Sequence, residues 1–143
     1  MADLVTLPPQ RLGGIIDTVP FAERLALIPD IFGRLDAAIG LAGFFFVGPQ
    51  TALYRIDGDQ MEVRVGVPLD QPLPGFEMFD APGSRALMQR HRGGFDGLPG
   101  VYQSLNAEAT DQGLTRGTWA REVYRQVARD PALNVIDIHM DVL

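Results

Sequence analysis

Gly117-Thr118-Trp119-Ala120-Arg121-Glu122-Val123-Tyr124-Arg125-Gln126-Val127 is the stretch on which the fold turns. Its β-branched and aromatic residues predict a strand, with Gly117 ahead of it and Asp130-Pro131 behind. Side chains alternate across a strand. Ala120, Glu122, Tyr124 and Gln126 therefore share one face, and Arg121, Val123 and Arg125 the other. Glu122 is flanked by an aromatic on its own face, with the chain's only Trp, Trp119, close by. A carboxylate there is either solvated at an edge or set in a pocket. In a pocket it needs a cation or a hydrogen-bond donor to offset its lost hydration. The strand alone leaves both readings open.

Working outward, the segment Arg11 to Val19 reads as a first strand, with a weak point or bulge at Gly13-Gly14. Phe21, Leu25, Ile28, Phe32, Leu35 and Ile39 alternate spacings of four and three, the apolar stripe of a helix. Pro29 predicts a kink there, or a lead-in turn with Pro29 near the first turn of the helix. Gly40 and Gly43 end it. Phe44-Phe45-Phe46 follows, and three adjacent rings cannot all face one core. Thr51 to Asp57 and Gln60 to Leu69 form a hairpin around Asp57-Gly58. A Pro- and Gly-rich connector holds a short strand candidate at Phe76-Glu77-Met78-Phe79. Ser84 to Arg92 is a strand, Phe95 to Gln112 a helix with Leu98, Val101, Tyr102 and Leu105 at helical spacing, and Asn134 to Leu143 a closing strand.

The order is strand, helix, hairpin, connector, then strand, helix and two strands. A shift of 70 residues that carries Tyr54 onto Tyr124 also aligns other landmarks. Gly13 meets Gly83, Pro29 meets Pro99, Leu35 meets Leu105 and Gly43 meets Gly113. Ile28, Ile31 and Phe32 meet Leu98, Val101 and Tyr102. We read a single domain over residues 1–143: one repeat at about 10–69, a connector at about 70–82 and a second repeat at about 83–143. The fold class is α+β. Two βαββ units with pseudo-twofold symmetry pair into an antiparallel sheet with helices on one side, and a ligand cleft lies between the halves. Glu122 aligns with Ala52, so the carboxylate occurs in one half only. Local departures from a structural rule are where function tends to sit.

Composition bounds the chemistry. The chain has 143 residues, 46% hydrophobic and 21% charged, enough for a globular core. There is no Cys, hence no disulfide or thiolate chemistry, and with only His91 and His139 no metal site is expected. A net charge of −6 argues against a nucleic-acid surface and favours neutral or cationic partners. The start carries no signal-peptide pattern and no apolar run spans a membrane, so the expectation is a soluble, cytoplasmic protein without a membrane partner.

Several marks then occur in order. Val65-Gly66-Val67-Pro68 ends the first hairpin, and Pro82-Gly83 precedes a strand. His91-Arg92-Gly93-Gly94-Phe95 leads into a helix with Leu98, Tyr102 and Leu105, and Glu122-Val123-Tyr124 precedes a closing strand. With these the chain resembles the effector-binding domain of multidrug-responsive transcription regulators, also found as gyrase-inhibitor-like small-molecule-binding proteins. The resemblance covers nearly the whole chain. It implies that Glu122 lies buried at the base of an aromatic-lined pocket and pairs with cationic, apolar ligands. Tyr54 and Tyr124 are then the pseudo-symmetric walls, with Trp119 and one of the Phe44 to Phe46 run, taken as Phe45, as further candidates. His91 is read as a hydrogen-bonded core or capping residue. Regulators of this family carry a DNA-binding domain ahead of this one. Here the chain starts almost at the first strand and is acidic, so direct nucleic-acid binding is not expected.

Three functions fit. The first is a stand-alone sensor or sequestering module for a lipophilic, cationic small molecule, with no cofactor. The second is a hydrolase of reactive electrophilic natural products, in which Glu122 and Tyr124 do acid–base work. The third is a gyrase-interacting modulator using the Phe44-Phe45-Phe46 run. The sequence leaves the ligand, turnover and oligomeric state open, a homodimer among the options.

Overall fold

The computed structural model describes residues 2–43 and 48–143. In chain order the strands and helices are β1 (Asp3–Leu7), β2 (Gln10–Pro20), α1 (Arg24–Ala42), β3 (Gln50–Asp57), β4 (Gln60–Pro68), β5 (Glu77–Ala81), β6 (Ser84–Arg92), α2 (Leu98–Asp111), β7 (Arg116–Gln126) and β8 (Val135–Val142). The fold is α+β, with antiparallel strands and two helices. Two compact units form: Pro9–Pro82, and Gly83–Leu143 with the N-terminal strand.

The unit Pro9–Pro82 orders its strands β3-β4-β2-β5. Val63, Val65 and Val67 on β4 are fully buried, as their alternation predicts. The β3–β4 hairpin turns at Asp57-Gly58, where Gly58 takes φ 63°, a left-handed conformation that costs glycine nothing. α1 buries Ile31 and Leu35 and packs on β2 and β4. A 3-10 turn, Phe21–Glu23, leads into it. Pro29 stands inside α1, past the first-turn position that was one of its two expected placements. Its missing N–H orphans the carbonyl of Leu25. Leu25 is 82% exposed, so water can take that bond and the helix runs on.

Gly13-Gly14 does not form the expected bulge. The register of β2 with β4 runs unbroken from Leu12↔Pro68 to Pro20↔Gln60. The glycines serve close approach instead. A Cβ at Gly14 would lie 1.9 Å from the carbonyl oxygen of Val65, and one at Gly66 would lie 2.6 Å from that of Gly13.

The other unit orders its strands β1-β6-β8-β7. β1 is an element the sequence reading did not anticipate; it pairs with β6 from Asp3↔Met88 to Leu7↔Ser84. Each unit thus takes its edge strand from the segment preceding the other repeat's first long strand: β1 precedes β2 but pairs with β6, and β5 precedes β6 but pairs with β2. α2 starts at Leu98-Pro99, where the ring of a first-turn proline removes only a donor that has no partner anyway. Its Val101, Leu105 and Ala109 join Leu87, Ile136, Ile138, Met140 and Val142 in one core cluster, with Tyr102 and Tyr124 packed against it. Among the described residues no helix is long and apolar enough to cross a membrane.

Candidate functional site

Glu122 sits on that core face. It lies opposite Ile138 on β8, between Ala120↔Met140 and Tyr124↔Ile136, so its strand neighbours are apolar. It is only 5% exposed. Two phenols satisfy it. The hydroxyl of Tyr102 on α2 donates to Oε2 at 2.6 Å, and that of Tyr124 on β7 donates to Oε1 at 2.6 Å. These are short bonds of the kind an O–H makes to a carboxylate. Burial pushes the Glu122 carboxyl above the ordinary glutamate range; the bonds from Tyr102 and then Tyr124 pull it partly back. The result is a buried carboxyl whose two oxygens are fixed by donors from two different elements.

The internal repeat explains why this arises in one half. At the 70-residue shift, Glu122 corresponds to Ala52, Tyr102 to Phe32 and Tyr124 to Tyr54. The half that carries the carboxylate also carries a hydroxyl at this position of the facing helix. Tyr102 was read from sequence as part of the helix's apolar stripe and as one of the marks of the resemblance, but not as a site residue. The signal that could have marked it was this paired change: a hydroxyl at Tyr102 where the matching Phe32 has none, in the half that carries the acid.

The structure brings Glu122 and Tyr124 together and adds Tyr102. Phe95, just before α2, stands with its ring centroid 6.1 Å from that of Tyr124, tilted by 56°. Trp119 is half-buried in the irregular stretch of β7 between Arg116 and Ala120. Tyr54 is buried in the other unit, on β3 opposite Val63. Phe45, and with it the Phe44 to Phe46 run, lies outside the described residues. His91 uses Nε2–H to donate to the carbonyl of Gly94 at 2.8 Å, a loop-fastening bond. An open groove of about 680 Å³ in the unit Pro9–Pro82 runs along α1 and β2, past Asp17, Val19, Pro29, Ile31 and Arg34. Among the described residues, none of the ligand residues expected from sequence lines it.

The opposite face of β8 is polar yet also buried. Asp137, His139 and Asp141 are 3%, 6% and 8% exposed. Asp137 accepts from Arg90 Nε at 2.7 Å, Arg90 Nη2 at 3.0 Å and Arg125 Nε at 3.1 Å. The Arg90 guanidinium, with Arg125 behind it, holds this carboxyl below the usual range against the effect of burial. Ser84 Oγ donates to Asp141 at 2.9 Å, and burial pushes that carboxyl up. Burial, with Arg121 nearby, pushes His139 down to about 4. These groups are structural neighbours of the Glu122 strand on its far side and do not touch its carboxylate.

Neither a family profile nor a characterised protein sequence matches the chain. Solved structures match its fold over nearly its whole length. SAV2435, solved bound to tetraphenylphosphonium, superposes with a TM-score of 0.80 at 14% identity, covering 100% of this chain and 94% of that one. The C-terminal domain of EcmrR gives 0.77 at 19% identity, covering 100% and 97%. A hydrolase from Listeria innocua gives 0.67 at 10% identity, covering 99% and 91%. At such identities the likeness is one of fold.

Proposed function

We propose that the chain is an effector-binding-type domain that takes up a lipophilic cation against Glu122. One observation carries this: a carboxyl 5% exposed in an apolar cluster, with both oxygens held by tyrosine hydroxyls. Such a group is costly for folding alone, since three apolar side chains at Glu122, Tyr102 and Tyr124 would fill the same space with no carboxylate to desolvate. Its presence in one repeat and not the other supports a role in binding. A cation that reached it would be stabilised strongly, because charges attract more where water is excluded. Aromatic walls would add apolar burial and attraction between ring face and cation. Both carboxylate oxygens already receive an O–H bond, so the guest need not supply a donor. Quaternary onium ions, which have none, suit the site better than primary amines. The tetraphenylphosphonium bound by a protein of the same fold belongs to that class. Trp119, on the same strand as Glu122, is a wall candidate in this proposal.

A second reading has its own support. A carboxyl of raised pKa, 2.6 Å from two phenols, is equipped for general acid–base work, and one protein of this fold is a hydrolase.

The experiment is calorimetric titration of tetraphenylphosphonium into wild type, Glu122→Gln and Tyr102→Phe. Loss of the charge should weaken binding at least tenfold, and loss of one phenol should weaken it by about two- to fivefold, a factor of ten being 1.4 kcal/mol. Equal affinity in wild type and Glu122→Gln would remove the Glu-centred reading.

A further inference from the structure

On the reading of Glu122 as the cation's partner, we infer that Phe95 is the outer aromatic contact of the site and selects for guests that carry aromatic or broad apolar groups. Exposure falls stepwise along one line of contacts. Phe95 is 49% exposed, Tyr124 is half-buried, and Glu122 is 5% exposed. Phe95 meets Tyr124 ring to ring, and Tyr124 meets Glu122 through its hydroxyl. A guest resting on the solvent side of this line would touch Phe95.

The loop that carries Phe95 is fastened, not loose. The His91 ring bonds the Gly94 carbonyl, the Gly93 amide donates to Asn134 at 3.2 Å, and the Gly97 amide donates to Gly94 at 3.2 Å. The His91 ring also fills the space beside Gly97: a Cβ there would come within 2.6 Å of His91 Cε1. The backbone is thus held at both ends of a short 3-10 turn, while the phenyl ring it presents remains half in water. Folding makes little use of that ring, since its exposed half leaves hydrophobic stabilisation unrealised. A pre-positioned aromatic with a free face is the arrangement that favours binding, because its ordering cost is met before the guest arrives. His91, in this account, is a positioning residue for Phe95.

The test is calorimetric titration of tetraphenylphosphonium and of the smaller tetraethylammonium into wild type, Phe95→Ala, Phe95→Leu and Glu122→Gln, with unfolding temperatures measured alongside. We expect Phe95→Ala to weaken tetraphenylphosphonium about five- to tenfold and tetraethylammonium less than twofold. Phe95→Leu, which keeps apolar bulk and guards against a folding defect, should fall between wild type and Phe95→Ala. Unchanged tetraphenylphosphonium affinity in both Phe95 variants, with binding lost in Glu122→Gln, would overturn the role of Phe95 and leave the Glu122 reading standing. Equal losses for both cations would overturn the selectivity. Failure of wild type to bind either cation would overturn the Glu122 reading and the role of Phe95 with it.

Discussion

Glu122 and His139 lie on neighbouring strands, both almost fully buried, and they titrate in opposite senses. Burial raises the carboxyl above its ordinary value near 4.5, so the folded chain holds that proton more tightly than the unfolded chain. Its contribution to stability is complete below 4.5 and is lost as pH climbs through the folded value. His139, pushed from 6.5 down to about 4, behaves conversely: its contribution is present above 6.5 and is lost as pH falls toward 4. Glutamine cannot ionise. Glu122→Gln should therefore exceed wild type in stability at pH 8 by about 1–3 kcal/mol, because the two phenol bonds only partly offset the hydration that a buried carboxylate loses. The gap should narrow toward pH 4. His139→Gln should flatten the loss of stability between pH 6.5 and 4. Thermal unfolding measured from pH 8 down to pH 4 checks both; a gap for Glu122→Gln that does not vary with pH would show that its carboxyl titrates as it does in water.

At the scale of elements, β2 and α1 use glycine for different reasons. Gly14 lies where two backbones nearly touch, and an added methyl would meet the carbonyl oxygen of Val65 at 1.9 Å. Gly33 lies in the interior of α1 with open space around it. Gly14→Ala should cost about 3 kcal/mol or more, since a ladder of main chain has to part to admit the methyl. Gly33→Ala should add about 0.5–1 kcal/mol by restraining the unfolded chain and improving helix propensity. Urea midpoints of the two variants distinguish the cases, and a stable Gly14→Ala would mean that the strands can separate there at little cost. The same contrast marks what a sequence can display. Apolar periodicity located both helices and the long strands, because each buries one face on a regular repeat. It could not tell a bulge from a close approach at Gly13-Gly14, since both select glycine. It placed Glu122 apart because Ala52 occupies the matching position. It passed over Tyr102, whose spacing fits a core helix and whose hydroxyl acquires meaning only when β7 is laid against α2.

For the molecule as a whole, β1 is the least legible part. Five residues followed by Pro8-Pro9 carry too little pattern to announce a strand, and their partner lies in the other repeat. Its removal should be felt locally. Deleting residues 2–7 strips the edge of β6, takes Ala2 from the core cluster and breaks the bond from the Ala2 amide to Glu108 Oε2 at 3.2 Å. Hydrogen exchange should then accelerate by tenfold or more in β6 and α2, while β2 through β4 keep their protection. Uniform acceleration in both units would show that β1 supports more than its own unit.

The pairing of Leu7 with Ser84 and of Asp3 with Met88 also sets a timetable for a chain emerging from the ribosome. The unit Pro9–Pro82 has every strand it needs once β5 has been made. β1 must wait, unpaired, until the whole intervening unit and then β6 have been made. Closing so long a loop is slow and entropically unfavourable. The prolines at 8 and 9, which cannot donate to a ladder, stand beside that waiting strand, where they hinder it from recruiting a stray neighbour in the meantime.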